Sequence, residues 1–297
     1  MPKQSWGGVM PALLTEMHHD GSLDLDATAK HIEHCLDAGV SGFIMLGTLG
    51  ENLSLSSHEK DQVIARAVQT VNGRVPVIVG IAEYTPVFAI DTIRRVEAAG
   101  CDGLMILPSM VYHQDSREAI DYFGTLAQAT SLPIMIYNNP VAYNLDLSAE
   151  DFLELSVHEN IVAVKESSHD SRRMTDMVNV CGERYLLFCG VDDRALENFV
   201  CGAVGWVSGM TNAFPRESVQ LFNLVKSGKM EEAVELYRWI MPVLHLDVGL
   251  KLVQYIKLAS QMTGLGSEWV RAPRLPLAGA ERDQISTIIQ DVIDSRP

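Results

Sequence analysis

The chain has 297 residues, 47% of them apolar, enough to bury the core of one large α/β domain without staples. Its 23 basic and 38 acidic residues leave a net charge of −15, which argues against nucleic acid or an anionic membrane as partner, though not against a small anionic substrate held locally. No apolar run reaches transmembrane length and residues 1–6 form no signal core, so the expectation is a cytoplasmic protein.

In chain order, residues 8–14 read as a short apolar strand. A helix over 24–37 follows, with Leu25, Ile32, Cys35 and Leu36 on its apolar face and Gly39 as its stop. A second buried strand is expected over 42–47, a helix over 57–71 with Ser57 as N-cap, and a third strand over 75–80 with Pro76 at its opening. The stretch 98–107 then echoes 37–46 at an offset of about 61 residues, the length of two βα units, and 201–209 is a looser third copy. Between them lie strands over 133–137, 161–165 and 186–190, and helices over 116–130, 148–155, 171–180 and 193–201. Eight short apolar strands, each followed by a helical pattern, predict an α/β fold of the (β/α)8 barrel type. An open doubly wound sheet is disfavoured, because no Gly-x-Gly-x-x-Gly follows the first strand. After Pro215 only helices are expected, including 230–241 and 250–262. The barrel is therefore assigned to 1–220 and a C-terminal helical extension to 221–297.

The five cysteines have no CxxC spacing and an odd count, so neither disulfides nor structural zinc is expected. His31, His34 and Cys35 share a helix face and could ligate a metal. A solvated or half-buried helix face explains them more simply, and no metal site is assigned.

The stretch Ile161-Val162-Ala163-Val164-Lys165 carries the chemistry. It reads as a parallel strand buried on both faces that runs straight into a lysine. An unpaired ammonium there is costly. Lys165 therefore faces a polar cavity at the strand end, or is neutral, or snorkels to the surface. A neutral amine on a rigid strand is a nucleophile toward carbonyls. Barrel active sites lie at the carboxyl ends of the strands, which places Tyr137 of the preceding strand beside Lys165. A lone tyrosine there would read as a core residue; next to the lysine it becomes a candidate proton shuttle for Schiff-base chemistry. Gly47-Thr48-Leu49-Gly50 suits a carboxylate site, with glycines turning N–H groups toward one anion and Thr48 adding a hydroxyl, although an ordinary turn has the same composition. Glu51 would repel an anion, so it is expected to cap or support the loop.

Gly47-Thr48-Leu49-Gly50-Glu51, Tyr137-Asn138-Asn139-Pro140 and Val164-Lys165-Glu166-Ser167, in this order and spacing, resemble the dihydrodipicolinate synthase / N-acetylneuraminate lyase superfamily over essentially the whole chain. The resemblance implies a homotetrameric barrel using class I Schiff-base chemistry on 2-oxo acids, with no cofactor besides the covalent link to Lys165. Tyr137 would be the acid/base, and Thr48 with nearby amides would hold the substrate carboxylate. Gly47, Leu49, Ser167, Asn139, Tyr112 and Gly190 complete the expected substrate site. The departures are informative: Leu49 stands where synthases carry a second threonine, and Val141-Ala142-Tyr143 lacks their carboxylate-binding arginine. Tyr112 aligns with their further tyrosine only through a one-residue insertion. A dihydrodipicolinate synthase is therefore not expected. With Pro108-Ser109-Met110-Val111-Tyr112, Phe188-Cys189-Gly190-Val191-Asp192-Asp193 and Arg271-Ala272-Pro273-Arg274-Leu275-Pro276-Leu277, the chain is most similar to a bacterial subgroup of hydroxyproline breakdown. That subgroup deaminates Δ1-pyrroline-4-hydroxy-2-carboxylate, a cyclic imino acid, to 2-oxoglutarate semialdehyde. A 2-oxo-3-deoxy sugar acid dehydratase, an aldolase of such acids and a catalytically silent 2-oxo acid-binding barrel are the competing expectations. Leu49, Met110, Val141 and Ala142 are expected to face the far end of the substrate.

Overall fold

The computed structural model describes residues 6–109 and 112–297. The strand stretch before Tyr112 is thus only partly described, and Met110 lies outside the described residues. Among those residues eight parallel strands alternate with helices: β1 Gly8–Pro11, β2 Phe43–Met45, β3 Val77–Ile81, β4 Gly103–Ile106, β5 Ile134–Asn138, β6 Ile161–Glu166, β7 Leu186–Cys189 and β8 Gly205–Ser208. Hydrogen bonding links them in the order β1-β8-β7-β6-β5-β4-β3-β2. A parallel bridge between Ala12 and Ile44, with Leu13 N–H donating to Ile44 O at 2.9 Å, brings β1 back to β2 and closes the barrel. Closure leaves no exposed sheet edge. The expected (β/α)8 barrel is thus observed. The first strand is shorter than 8–14 because beyond Pro11 only that single bridge pairs with β2.

The helices are α1 Leu25–Asp37, α2 Ser57–Val71, α3 Pro86–Ala98, α4 Ser116–Gln128, α5 Pro140–Tyr143, α6 Ala149–Leu155, α7 Arg172–Cys181, α8 Ala195–Val200, α9 Pro215–Lys226, α10 Met230–Leu244, α11 Leu252–Met262 and α12 Gly279–Asp294. Short side chains set their starts. Ser56, not Ser57, caps α2, because Glu59 three residues on completes a reciprocal capping box with it. Helix α3, not singled out from the sequence, opens on a Thr85 cap followed by Pro86. Helix α9 spans 215–226, across the expected boundary at 220.

The strands are buried on both sides, as their continuous apolar runs require. Buried charge is answered by opposite charge. His31 Nδ1 meets Glu16 Oε1 at 2.9 Å and Nε2 meets the Asn212 carbonyl at 2.9 Å, both side chains fully buried. Burial alone would push His31 down, but its contacts with Cys35 and Glu16 outweigh it and hold the imidazole up at about 10. Both ring nitrogens are thereby committed to the protein interior, and His34 is exposed.

The C-terminal helices are tied to the barrel by a second buried pair. Lys257 of α11 meets Glu51 Oε1 at 2.7 Å, with both side chains fully buried. The contact is one of charge, since Glu51 Oε1 receives no well-directed hydrogen bond. The same ammonium donates to Thr15 O at 2.9 Å and Trp269 O at 2.5 Å. Removing one partner of such a pair strands the other charge. Lys257→Ala is expected to lower unfolding stability by about 3–5 kcal/mol, read by urea denaturation; a loss below about 1 kcal/mol would show that the pair is not what anchors the extension.

Candidate active site

Strands β5 and β6 pair in a register that sets Tyr137 directly beside Lys165. Register partners on adjacent parallel strands share a face. The Lys165 amine accordingly sits over the Tyr137 ring, 4.0 Å from its centroid. Lys165 is 6% exposed and, among the described residues, forms no ion pair. Burial holds its amine below the ordinary lysine value, while Asp247, Tyr143 and Asp192 pull the other way. The neighbouring Glu166 is treated differently. Its carboxylate accepts from Asn138 Nδ2 at 3.0 Å, Ser168 N at 2.7 Å and Arg173 Nε at 3.1 Å. Alternation along β6 thus sends the paired charge one way and the unpaired amine the other.

Gly190 makes room for that amine. A Cβ there would lie 2.8 Å from Lys165 Cγ and Cε and would collide with Ser167 Oγ. Ser167 Oγ is itself buried beside the Tyr137 hydroxyl, the group it interacts with, and among the described residues has no well-directed hydrogen-bond partner. Asn139 has two tasks. Its Oδ1 caps α5 through Ala142 N at 3.0 Å, and its Nδ2 donates to the Tyr137 hydroxyl at 3.0 Å. Burial pushes the Tyr137 phenol up to about 12, so it is protonated and able to donate at neutral pH.

The loop after β2 carries strain. Leu46 and Glu51 both have positive φ, 54° and 53°. A bulky residue in the left-handed region is costly and persists only where its surroundings hold it. Asn52 Nδ2 does so by donating to Leu46 O at 2.8 Å and Gly80 O at 3.1 Å. Gly50 is required because a Cβ would lie 2.9 Å from Leu46 Cα. The left-handed turns therefore fall on Leu46 and Glu51 rather than on the glycines. Thr48 Oγ1 bonds the Tyr143 hydroxyl at 2.8 Å, and among the described residues no acceptor is found for the N–H groups of Thr48 and Leu49. Glu51 makes no capping bond to the turn after it; its side chain goes to Lys257, Arg274 and the Arg271 N–H.

Lys165, Tyr137, Ser167, Asn139 and Gly190 thus form one cluster, and Thr48 joins it through Tyr143. Leu49, within the loop, is buried. Tyr112 does not join within this chain. It is 53% exposed, and its hydroxyl meets Glu118, which raises its pKa. Val141 and Ala142 are exposed, against expectation. The single turn of α5 points Tyr143 inward instead, its ring 5.5 Å from that of Tyr137 at 84°. Two residues escaped the sequence reading. Tyr143 stands out in the sequence only as one of three residues where an arginine is absent. Asp247, in the turn between α10 and α11, belongs to no motif; its one signal is an acid set within Leu244-His245-Leu246-Asp247-Val248.

Among the described residues no helix is long and apolar enough to cross a membrane. The model of the dihydrodipicolinate synthetase family matches residues 5–292. A 4-hydroxy-tetrahydrodipicolinate synthase of Exiguobacterium sp. is 32% identical, the match covering 95% of this chain and 97% of that protein. The dihydrodipicolinate synthase of Bacillus anthracis superposes with TM-score 0.92 at 28% identity, covering 98% of each chain. A prophage protein of the same family from E. coli K12, solved in complex with pyruvate, gives TM-score 0.91 at 25% identity, covering 98% of this chain and 99% of that one. The chain belongs to the dihydrodipicolinate synthetase family, whose members are enzymes that act on small 2-oxo acids through a covalent Schiff base on a lysine, without metal or other cofactor.

Two outcomes follow from the geometry. The rate at which pyruvate and borohydride label the protein should climb with pH through a midpoint below 10.5, the ordinary lysine value, because the amine attacks only when neutral. Gly190→Ala should cut labelling at least about tenfold while circular dichroism stays unchanged; labelling at the wild-type rate would remove Gly190 from the site.

Proposed function

We propose that this enzyme deaminates Δ1-pyrroline-4-hydroxy-2-carboxylate to 2-oxoglutarate semialdehyde, with Lys165 as the Schiff-base residue. The observation that carries this reading is what stands opposite Thr48. Tyr143 fills that place with a phenol, and position 142 holds an exposed alanine, so the loop offers no guanidinium to a second carboxylate. A substrate with one carboxylate fits better than the dicarboxylic chemistry of the synthases, whose name many relatives bear. Leu49, buried within the loop, likewise puts an apolar surface where a hydroxyl would stand.

The reaction is written on these residues. Thr48 and the free N–H groups of the loop bind the carboxylate. Lys165 attacks C2 of the cyclic imine, the C2–N ring bond breaks, and the ring nitrogen remains on C5. The lysine iminium acidifies C3. Tyr137, steered by Asn139, moves the proton, and the C4–O bond breaks as water leaves. Proton shifts carry the unsaturation to C5, where water releases ammonia. A second water frees the 2-oxo acid from Lys165. Ser167 is the hydroxyl available to support these transfers. The enzyme works in the cytoplasm as a homotetramer. Leu53, Tyr84, Val87, Phe88 and Tyr112, large and exposed apolar side chains in this chain, supply surface for a second copy.

The competing reading, a 2-oxo-3-deoxy sugar acid dehydratase or aldolase, shares the iminium and is favoured only by the two phenols as partners for substrate hydroxyls. Ammonia release from the hydroxypyrroline acid is expected to exceed dehydration of any 2-oxo-3-deoxypentonate at least about tenfold in kcat/KM, roughly 1.4 kcal/mol. The reverse order would move the enzyme to the sugar acids. Lys165→Ala should abolish both turnover and borohydride labelling. Binding of pyruvate by the wild type without labelling would instead mark a silent barrel.

A further inference from the structure

Asp247 is a carboxylate that the chemistry above does not use. It lies in the single 3-10 turn His245–Val248 of the C-terminal extension. Its Oδ2 accepts one long hydrogen bond, from Asp192 N at 3.4 Å. Its Oδ1 lies against Gly209 at the end of β8, where a Cβ would collide with it and would also come within 3.0 Å of Leu49 Cδ1. The carboxylate therefore sits between the carboxyl ends of β7 and β8 and the loop that carries Thr48 and Leu49. Among the described residues no lysine, arginine or histidine pairs with it, and His245 beside it bonds Asp193 instead. Its neighbour Asp192 has full satisfaction from Trp206 Nε1 at 2.9 Å, Ser208 Oγ at 3.2 Å and Met210 N at 2.6 Å. Asp247 is half-buried and lacks such partners. Leaving a carboxylate so placed with one weak donor is unfavourable unless something arrives to pair with it.

Resting on the deaminase reading, we infer that Asp247 receives the nitrogen that ring opening frees at C5, and so selects nitrogen-bearing substrates. The cyclic imine reacts protonated on its nitrogen: when Lys165 attacks C2, the electron pairs of the C2–N double bond go to the ring nitrogen, which takes one further proton from the attacking lysine nitrogen and becomes a primary amine, leaving Lys165 as the iminium. That amine is tethered three carbons from C2 and can close the ring again, with the large effective concentration of an intramolecular nucleophile. A further proton, passed from the Asp247 carboxyl, converts it to an ammonium that cannot attack. The carboxylate left behind pairs with that ammonium. Asp247 is suited to both forms. Burial raises it to about 6 against the pull of Lys165 and the Asp192 N–H, with Asp193 raising it further. The ionisable groups around it are Lys165, Tyr137, Cys189, Asp192, Asp193 and His245. Lys165 is the one basic group among those on the strands, and its nitrogen is bonded to C2 once the iminium has formed. A sugar acid, whose far end is uncharged, gains no ion pair here.

The test compares two five-carbon acids. Δ1-Pyrroline-2-carboxylate brings the ring nitrogen without the 4-hydroxyl, and 2-oxopentanoate has the same carbons without nitrogen. Wild type and Asp247→Asn are equilibrated with each, quenched with borohydride, and the Lys165 adduct is quantified by mass across a concentration series. Wild type should reach half-labelling at about tenfold lower concentration of the pyrroline acid, and Asp247→Asn should bring the two acids within about threefold. A preference that survives in the variant, or is missing from the wild type, overturns the role of Asp247. Should the amide disturb the fold by circular dichroism, Asp247→Ala takes its place; if that also fails to fold, the wild-type comparison decides alone. Ammonia release from the hydroxylated acid is measured in parallel on wild type. Its absence with the nitrogen preference intact would reject the deaminase and keep Asp247 as an amine-binding group.

Discussion

An amine cannot lie inside a barrel without an answer to its charge, and the neighbourhood of β6 is arranged around that constraint. Two ionisable residues follow one another at the strand end. Glu166 is turned toward α7, where Arg173, Asn138 and a backbone N–H surround it. Lys165 is turned the other way, where it meets the aromatic face of Tyr137 and, among the described residues, forms no ion pair. The first arrangement stabilises a charge and the second discourages one. Burial shifts the lysine toward its neutral form, the form in which an amine is a nucleophile.

Much of this was legible because the physics is local. A continuous apolar run can only be a strand covered on both sides, and a lysine at its end must be explained whatever the fold. Regular βα alternation fixed the barrel, and the barrel fixed which strand ends converge. Register then followed closely enough to set Tyr137 beside Lys165. Tyr143 and Asp247 were not legible for two different reasons. Tyr143 turns inward only because Asn139 starts a one-turn helix whose geometry places the fourth residue over the pocket. Asp247 reaches the pocket from a helical tail whose docking no periodicity encodes. The glycine loop gave a third lesson: the left-handed residues are Leu46 and Glu51, and Gly50 is needed for lack of space rather than for its dihedral freedom.

The extension is therefore part of the site and not an appendage to it. Thr15 Oγ1 bonds Gly50 O, Lys257 bonds Thr15 O, and Glu51 is met by Lys257, Arg274 and the Arg271 N–H. The strained loop is held from the side opposite the pocket by the last quarter of the chain. Stored strain of this kind survives only while its surroundings over-determine it.

That dependence has a consequence in time. The Arg271 N–H that meets Glu51 lies 220 residues further along the chain. At 5–20 residues per second, a ribosome needs roughly 10–40 s to travel from one to the other. The last six of the eight strands are made during that interval, so the whole sheet precedes the C-terminal groups that anchor the loop. A nascent barrel can thus assemble its sheet while the loop after β2 is still without its C-terminal supports. Lys165 and Tyr137 are built before Lys257, Arg271 and Arg274, so the cluster around the amine meets a supported loop only when synthesis is nearly over.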